Sequence, residues 1–236
     1  MSVTVESAAR TAPAAVIVAI DGPSGTGKSS TSKAVAAKLG LSYLDTGAQY
    51  RAITWWMLSN GIDVDDPVAV ADSSGKPSVV SGSDPANPTI TVDGVDAAAA
   101  IRTQEVTAAV SAVSAVPEVR SRLVDLQRAA AAAAPAGIVV EGRDIGTTVF
   151  PAATVKIFLT ASAEARAARR SGELKGALSV ADTQAALVKR DAADSGRTTS
   201  PLAMAADAVE VDTTDLTLEQ VIECIVTLVE EKRAPR

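Results

Sequence analysis

"AIDGPSGTGKSSTSKA", residues 19–34, decides how this chain is read. Gly22 through Ser29 fit the spacing G-x-x-x-x-G-K-[ST]. Ahead of them, "AAVIVAI" (14–20) is a short apolar run with β-branched side chains, the pattern of a buried parallel strand. Behind them, "SSTSKAVAAKLG" (29–40) reads as a helix closed by Gly40. A strand, a glycine-rich turn and a helix, in that order, are the context in which this spacing binds phosphate. Glycines let backbone N–H groups wrap the phosphates, and the helix N-terminus adds positive dipole. The expected phosphate-binding stretch is therefore Gly22, Pro23, Ser24, Gly25, Thr26, Gly27, Lys28, Ser29 and Ser30. Lys28 is expected to reach the β- and γ-phosphates of ATP, and the Ser29 hydroxyl to help hold Mg²⁺.

Working outward, "LSYLD" (41–45) reads as a second strand and "AQYRAITWWMLSNG" (48–61) as a helix stopping at Gly61. From about 62 to 100 the texture turns to Pro, Gly, Ser and Asp with short alternating segments. That is the signature of a small β-rich insert, with Asp93-Gly94 as a hairpin turn. Helical texture returns over 101–134, Pro117 opening its second half. "GIVVEGRD" (137–144), "TVKIFLT" (154–160) and "DAVEVD" (207–212) read as further strands, with helices over 162–172 and 179–197. Thr217 and Gln220 fit a capping box for a last helix, "LEQVIECIVTLVEEK". Strands alternating with helices predict an α/β fold: a mainly parallel sheet flanked by helices.

Composition removes several classes of chemistry. The 236 residues include no histidine, which excludes Ser-His-Asp and Cys-His catalysis and most transition-metal sites. A single cysteine, Cys224, leaves no intramolecular disulfide. The net charge of −6 gives no electrostatic footing for nucleic acid. No run approaches the roughly 18 apolar residues of a membrane span, and "MSVTVESAARTAPAA" lacks the pattern of a secretory signal. A cytoplasmic protein without nucleic-acid or membrane partners is the expectation, with a loose tail over 1–13 and a monomer as the default state.

The glycine loop does not name the phosphate acceptor. No NKxD-type base-reading element of a GTPase is present, and "IVVEGRD" (138–144) is unlike the strand ending in Asp or Asp-Glu of a motor ATPase. The arginines are more informative, because planar, permanently charged guanidinium groups suit a site that gathers two phosphorylated molecules. Arg51 follows a strand end and glycine turn, and Arg102 sits at the exit of the insert. Arg143 and Asp144 lie just beyond a buried strand, at the edge where open α/β sheets bind ligands. Arg190, Asp194 and Arg197 are spaced by four and three, one helix face, although Gly196 makes the last turn a loop. Arg166, Arg169 and Arg170 share a flank of another helix and are candidates for closing over ATP.

"IDGPSGTGKSS", "LDTGAQYRA", "IRTQEV", "EGRDIGTTVFP", "KIFLTAS", "KRDAADSGR" and "ADAVEVDTTDLTLEQVI" together resemble the bacterial cytidylate kinases, in the family's order and over about residues 15–230. The resemblance implies γ-phosphoryl transfer from ATP to CMP or dCMP with Mg²⁺, in pyrimidine nucleotide metabolism. It also implies a single P-loop kinase domain over 14–236. Its core would fall at about 14–49, 104–168 and 190–232, its β-rich nucleoside-monophosphate-binding insert at about 50–103 and its mobile helical lid at about 169–189. By the same resemblance Arg51, Arg143 and Arg190 look like ligands of the CMP phosphate, with Lys28, Arg143 and Arg190 as catalytic groups. Arg102, Asp144 and Arg197 look like contributors to cytosine recognition, Tyr50 and Asp194 would lie near the sugar, and Asp45 and Thr46 belong to the same substrate set. The chain departs from the pattern at Gln49, where many members are apolar. It departs again in "AAAAIR" (97–102), which lacks a small hydroxyl residue before Arg102 and so weakens one contact to the base. Two rivals stay open: another small P-loop kinase, with UMP, AMP or shikimate as acceptor, and a nucleotide-binding switch with no acceptor.

Overall fold

The computed structural model describes residues 15–173 and 179–233. The expected tail over 1–13 and part of the expected lid (174–178) lie outside the described residues. Five parallel strands form the main sheet, in the spatial order β2, β6, β1, β7, β8. They are β1 (Val16–Asp21), β2 (Ser42–Asp45), β6 (Gly137–Glu141), β7 (Val155–Thr160) and β8 (Val209–Asp212). β1 is central because its side chains are apolar on both faces. Val18 and Ile20 pack toward α1 (Lys28–Leu39) and α8 (Leu218–Arg233), while Ala19 packs on the opposite side with Ile138, Val140 and Ala131 of α5 (Pro117–Ala132). The predicted capping box opens α8: Thr217 N–H donates to Gln220 Oε1 at 2.9 Å, and Gln220 N–H returns to Thr217 Oγ1 at 3.3 Å.

A second buried cluster builds the insert. Its antiparallel sheet is β3 (Val79–Ser81), β4 (Ile90–Val92) and β5 (Val95–Asp96), and Asp93-Gly94 makes the predicted turn. Asp93 adopts φ 51° and Gly94 φ 80°, the conformation a two-residue hairpin of this twist demands. The Asp93 carboxylate compensates by accepting from Ser78 N at 2.7 Å and Trp56 Nε1 at 2.8 Å. The sheet packs on α2 (Thr46–Ser59), α4 (Gln104–Ala115) and the start of α5, around Ile53, Met57, Val92, Val113 and Leu123. This cluster takes in residues of α4 and of the first half of α5 as well as those before residue 103. The insert also contains a helix, α3 (Pro67–Ser73), opened by the Asp66 carboxylate on Val68 N at 2.9 Å and by proline at the first turn. Among the described residues no helix is long and apolar enough to cross a membrane.

Two further helices, α6 (Ala163–Glu173) and α7 (Val180–Ser195), pack against each other and stand over the C-terminal edge of the sheet. At that edge β1, β2 and β6 each end in a carboxylate: Asp21, Asp45 and Glu141.

Candidate active site

The turn between β1 and α1 is held open for a ligand by its own backbone. At Gly22 (φ 143°) a Cβ would stand 2.2 Å from the Leu159 carbonyl oxygen, so only glycine lets the chain leave the sheet here. Lys28 Nζ donates to Pro23 O at 2.6 Å, and Thr26 Oγ1 donates to the same oxygen at 3.1 Å. Burial, with Arg143 and Arg190 nearby, holds the Lys28 ammonium well below its ordinary pKa, against the opposing pull of Glu141 and Asp21. Ser29 Oγ donates to Glu141 Oε2 at 3.0 Å, and Tyr43 Oη donates to Glu141 Oε1. Burial and Asp45 push the Glu141 carboxyl up to about 7. "IVVEGRD" thus ends its strand in an acid, Glu141, that accepts from the hydroxyl of the loop serine. Among the described residues no three acidic or Cys side chains cluster as a metal site. A cation here would complete its shell with phosphate oxygens, as Mg²⁺ does.

The loop faces a cavity of about 480 Å³ that Ser24, Gly25, Gly27, Lys28, Ser29 and Ser30 line from below. Arg51, Arg102, Arg143, Arg170 and Arg190 line it too, so at least six cations surround one space. Arg51 is aimed by bonds from Nη1 to Ile101 O (3.1 Å) and Thr107 Oγ1 (2.9 Å), and burial lowers its pKa to about 10. Burial, then Arg143 and Arg51, lower Arg190 to about 9, and its Nε is buried without a hydrogen-bond partner. Crowding like charges around a solvated hollow costs energy that a polyanion would recover.

A smaller cavity, about 70 Å³, opens on the other side of Arg143 and Arg190, which line both. Its walls include Tyr50, Ser111, Ser114, Arg120, Asp144 and Arg197. Arg120 Nη2 donates to Asp144 Oδ2 at 2.5 Å, Arg120 Nη1 to Ser114 O at 3.0 Å, and the guanidinium lies 5.2 Å from the Tyr50 ring centre. Burial pushes the Tyr50 hydroxyl up to about 12, so it stays protonated. Asp194 joins the walls: it accepts from Arg143 Nε at 2.9 Å and pairs with Arg197 Nη2 at 3.3 Å. Arg197 follows the end of α7, as Gly196 foretold.

The remaining expected residues fall elsewhere. Arg102, expected beside the base, closes the 3₁₀ turn Ala100–Arg102 and lines the large cavity, not the small one. Asp45 caps α2 through Ala48 N (2.9 Å) while also lining the large cavity, and Thr46 Oγ1 donates to Glu141 O (2.7 Å) beside the small one. Arg170 reaches the large cavity, whereas Arg169 holds the loop after β8 through Thr213 Oγ1 at 2.9 Å and Thr213 O at 2.5 Å. Arg166 Nη1 donates to Ser24 O at 3.3 Å and pairs with Asp191.

Sequence reasoning missed Arg120, Glu141, Asp191 and Asp21. Arg120 and Arg122 are two apart in a helix and point to different faces: one meets Asp144, the other caps Ser74 O and Pro77 O. A weak signal existed in Asp21, an acid ending an apolar strand. It accepts from Ile145 N at 2.8 Å and Gly146 N at 2.7 Å, tying the glycine loop to the π-helical turn that follows Asp144.

Comparison with known proteins agrees with this geometry. The family described as Cytidylate kinase matches residues 18–231. A cytidylate kinase of Streptomyces avermitilis is 77% identical over 229 residues, covering 97% of this chain and 98% of the relative. One from Streptomyces coelicolor is 80% identical over 227 residues, covering 96% and 97%. An uncharacterized protein from Eubacterium ventriosum shares the fold at 10% identity, with a TM-score of 0.51 over 92% of this chain and 98% of its own. On these matches and on the loop, sheet and paired cavities, the chain belongs to the cytidylate kinase family.

Proposed function

We propose that this chain is a cytidylate kinase that moves the γ-phosphoryl group of ATP to CMP or dCMP, giving ADP and CDP or dCDP, as a cytoplasmic monomer in pyrimidine nucleotide metabolism. The observation that carries the reading is the shared wall: Arg143 and Arg190 line both the loop cavity and the smaller cavity. A donor phosphate on the loop and an acceptor phosphate entering from the smaller cavity would meet at those two guanidinium groups. A nucleotide switch needs no such second cavity.

An acceptor phosphate is ionised at neutral pH, so no general base is required and the lack of histidine costs nothing. The work is alignment of two polyanions and balance of the charge that spreads over the transferring group. Lys28 and the glycine-loop amides hold the donor, Arg51, Arg143 and Arg190 orient the acceptor oxygen, and Arg170 adds positive charge above the transfer path. Ser29 Oγ and the Glu141 carboxylate are the groups that would hold Mg²⁺, which when bound neutralises charge between the β- and γ-phosphates.

The small cavity suits cytosine. Its exocyclic amine donates a hydrogen bond, while N3 and O2 accept. Asp144 supplies an acceptor, and Arg120 and Arg197 supply donors, in the walls of the pocket. Uracil turns the pattern round at C4 and N3, leaving the buried carboxylate opposite a carbonyl, and unpaired polar groups of that kind discriminate strongly. Tyr50 and Asp194 stand where the sugar would pass. The test is ADP release from ATP and Mg²⁺ with CMP, dCMP, UMP, AMP, GMP and shikimate offered singly. CMP and dCMP should stimulate most, and stimulation by none of them would refute the reading.

A further inference from the structure

Asp191 lies between two groups of the acceptor side on α7, one residue after Arg190 and three before Asp194, yet its own bonds go to the glycine loop. Its Oδ1 accepts from Ser24 N at 3.3 Å, and its Oδ2 pairs with Arg166 Nη1. The same Arg166 nitrogen donates to Ser24 O at 3.3 Å. Ser24 is thus gripped through both its N–H and its C=O by an ion pair that spans α6 and α7. Gly25 makes room for this grip: a Cβ there would lie 3.0 Å from Arg166 Cβ and 3.1 Å from the Arg166 carbonyl oxygen. The pair is mostly buried, with side-chain exposures of 11% for Arg166 and 19% for Asp191. Charge-assisted bonds in such a setting are short-ranged and directional, so a movement of α7 is passed to the loop rather than absorbed.

We propose that Asp191 is a positioning residue that couples the acceptor site to the ATP loop. The inference rests on the kinase reading above. An acceptor phosphate drawn to Arg190 pulls on α7, and Asp191 with Arg166 carries that displacement to Ser24, setting the loop for the triphosphate. By linkage, ATP bound to the loop strengthens acceptor binding by the same factor.

The test is calorimetric titration of the β,γ-methylene analogue of ATP with and without saturating CMP, and of CMP with and without the analogue. It is run on the wild type, Asp191→Asn, Asp191→Glu and Arg166→Lys. In the wild type each ligand should tighten the other about fivefold or more, within the usual range of coupling between sites. Asp191→Asn should bind each ligand alone within about threefold of the wild type, unfold within about 5 °C of it because the amide oxygen still accepts from Arg166, and lose the mutual tightening to below about twofold. Its kcat should fall while KM for CMP measured at low ATP stays near the wild-type value. Asp191→Glu should restore part of the tightening, and Asp191→Asn with Arg166→Lys together should lose no more than either alone, because the two act as one device. Full tightening retained in Asp191→Asn overturns the proposal, as does a wild type in which the two ligands bind independently. A wild type that binds the ATP analogue and never CMP refutes the acceptor reading itself, so the two failures are told apart.

Discussion

Replacing Arg120 with methionine removes one half of the most deeply buried ion pair among the described residues and leaves the Asp144 carboxylate without its hydrogen-bonded cation. The two side chains are 3% and 5% exposed, with 2.5 Å between Nη2 and Oδ2. Breaking a buried pair from one side costs about 3–5 kcal/mol, because the surviving charge is stranded. Loss of the guanidinium over Tyr50 adds roughly 0.5–1 kcal/mol. Asp144→Asn should cost less, about 1–3 kcal/mol, since an amide oxygen still accepts from Arg120. The double variant strands no charge, so it should be more stable than the sum of the two losses implies by at least about 2 kcal/mol. Urea unfolding of the four proteins measures this, provided that the slopes agree. Losses that add to within about 0.5 kcal/mol would refute the pairing. Both single variants should also lower the preference for CMP over UMP, as kcat/KM, by about tenfold or more. An unchanged preference would remove the pair from base reading.

Two other perturbations separate chemistry from stability. Lys28→Met should reduce ADP formation about 10³-fold or more, yet leave the unfolding midpoint at pH 7 unchanged or higher. A buried ammonium whose pKa is held down is charged at a cost to the folded state, and methionine relieves it. Asp21 is raised to about 6 by burial, against an ordinary 3.8. Between these values the folded protein binds more protons than the unfolded chain, so this group makes stability fall as pH rises, by about 3 kcal/mol in all. In Asp21→Asn that downward slope between pH 4 and pH 6 should flatten, as read from urea midpoints across the range, and a slope equal to the wild type's would contradict the assignment.

What the sequence disclosed was local. The strand before Gly22, the glycine spacing, the Asp93-Gly94 turn and the Thr217–Gln220 box depend on neighbours within a few residues, and each stands where expected. The choice between Arg120 and Arg122 depends on which face of α5 meets Asp144, 24 residues away in the chain, and no helical period decides that. Arg102 shows the same dependence on distant packing. It is close in sequence to α4, which lines the small cavity, but its 3₁₀ turn directs it to the large one. Gln49, apolar in many relatives by the family pattern, is buried against Gln127 of α5 (3.2 Å) and Ser81 of β3 (3.2 Å). That departure is matched by a partner 78 residues on, which a single sequence does not reveal.

The fate of the γ-phosphate tests the central claim most directly. With ATP labelled in that phosphate, Mg²⁺ and CMP, the label should appear in CDP, with little inorganic phosphate released. Label that appears as inorganic phosphate at the same rate with or without CMP would contradict a site built on the wall shared by Arg143 and Arg190.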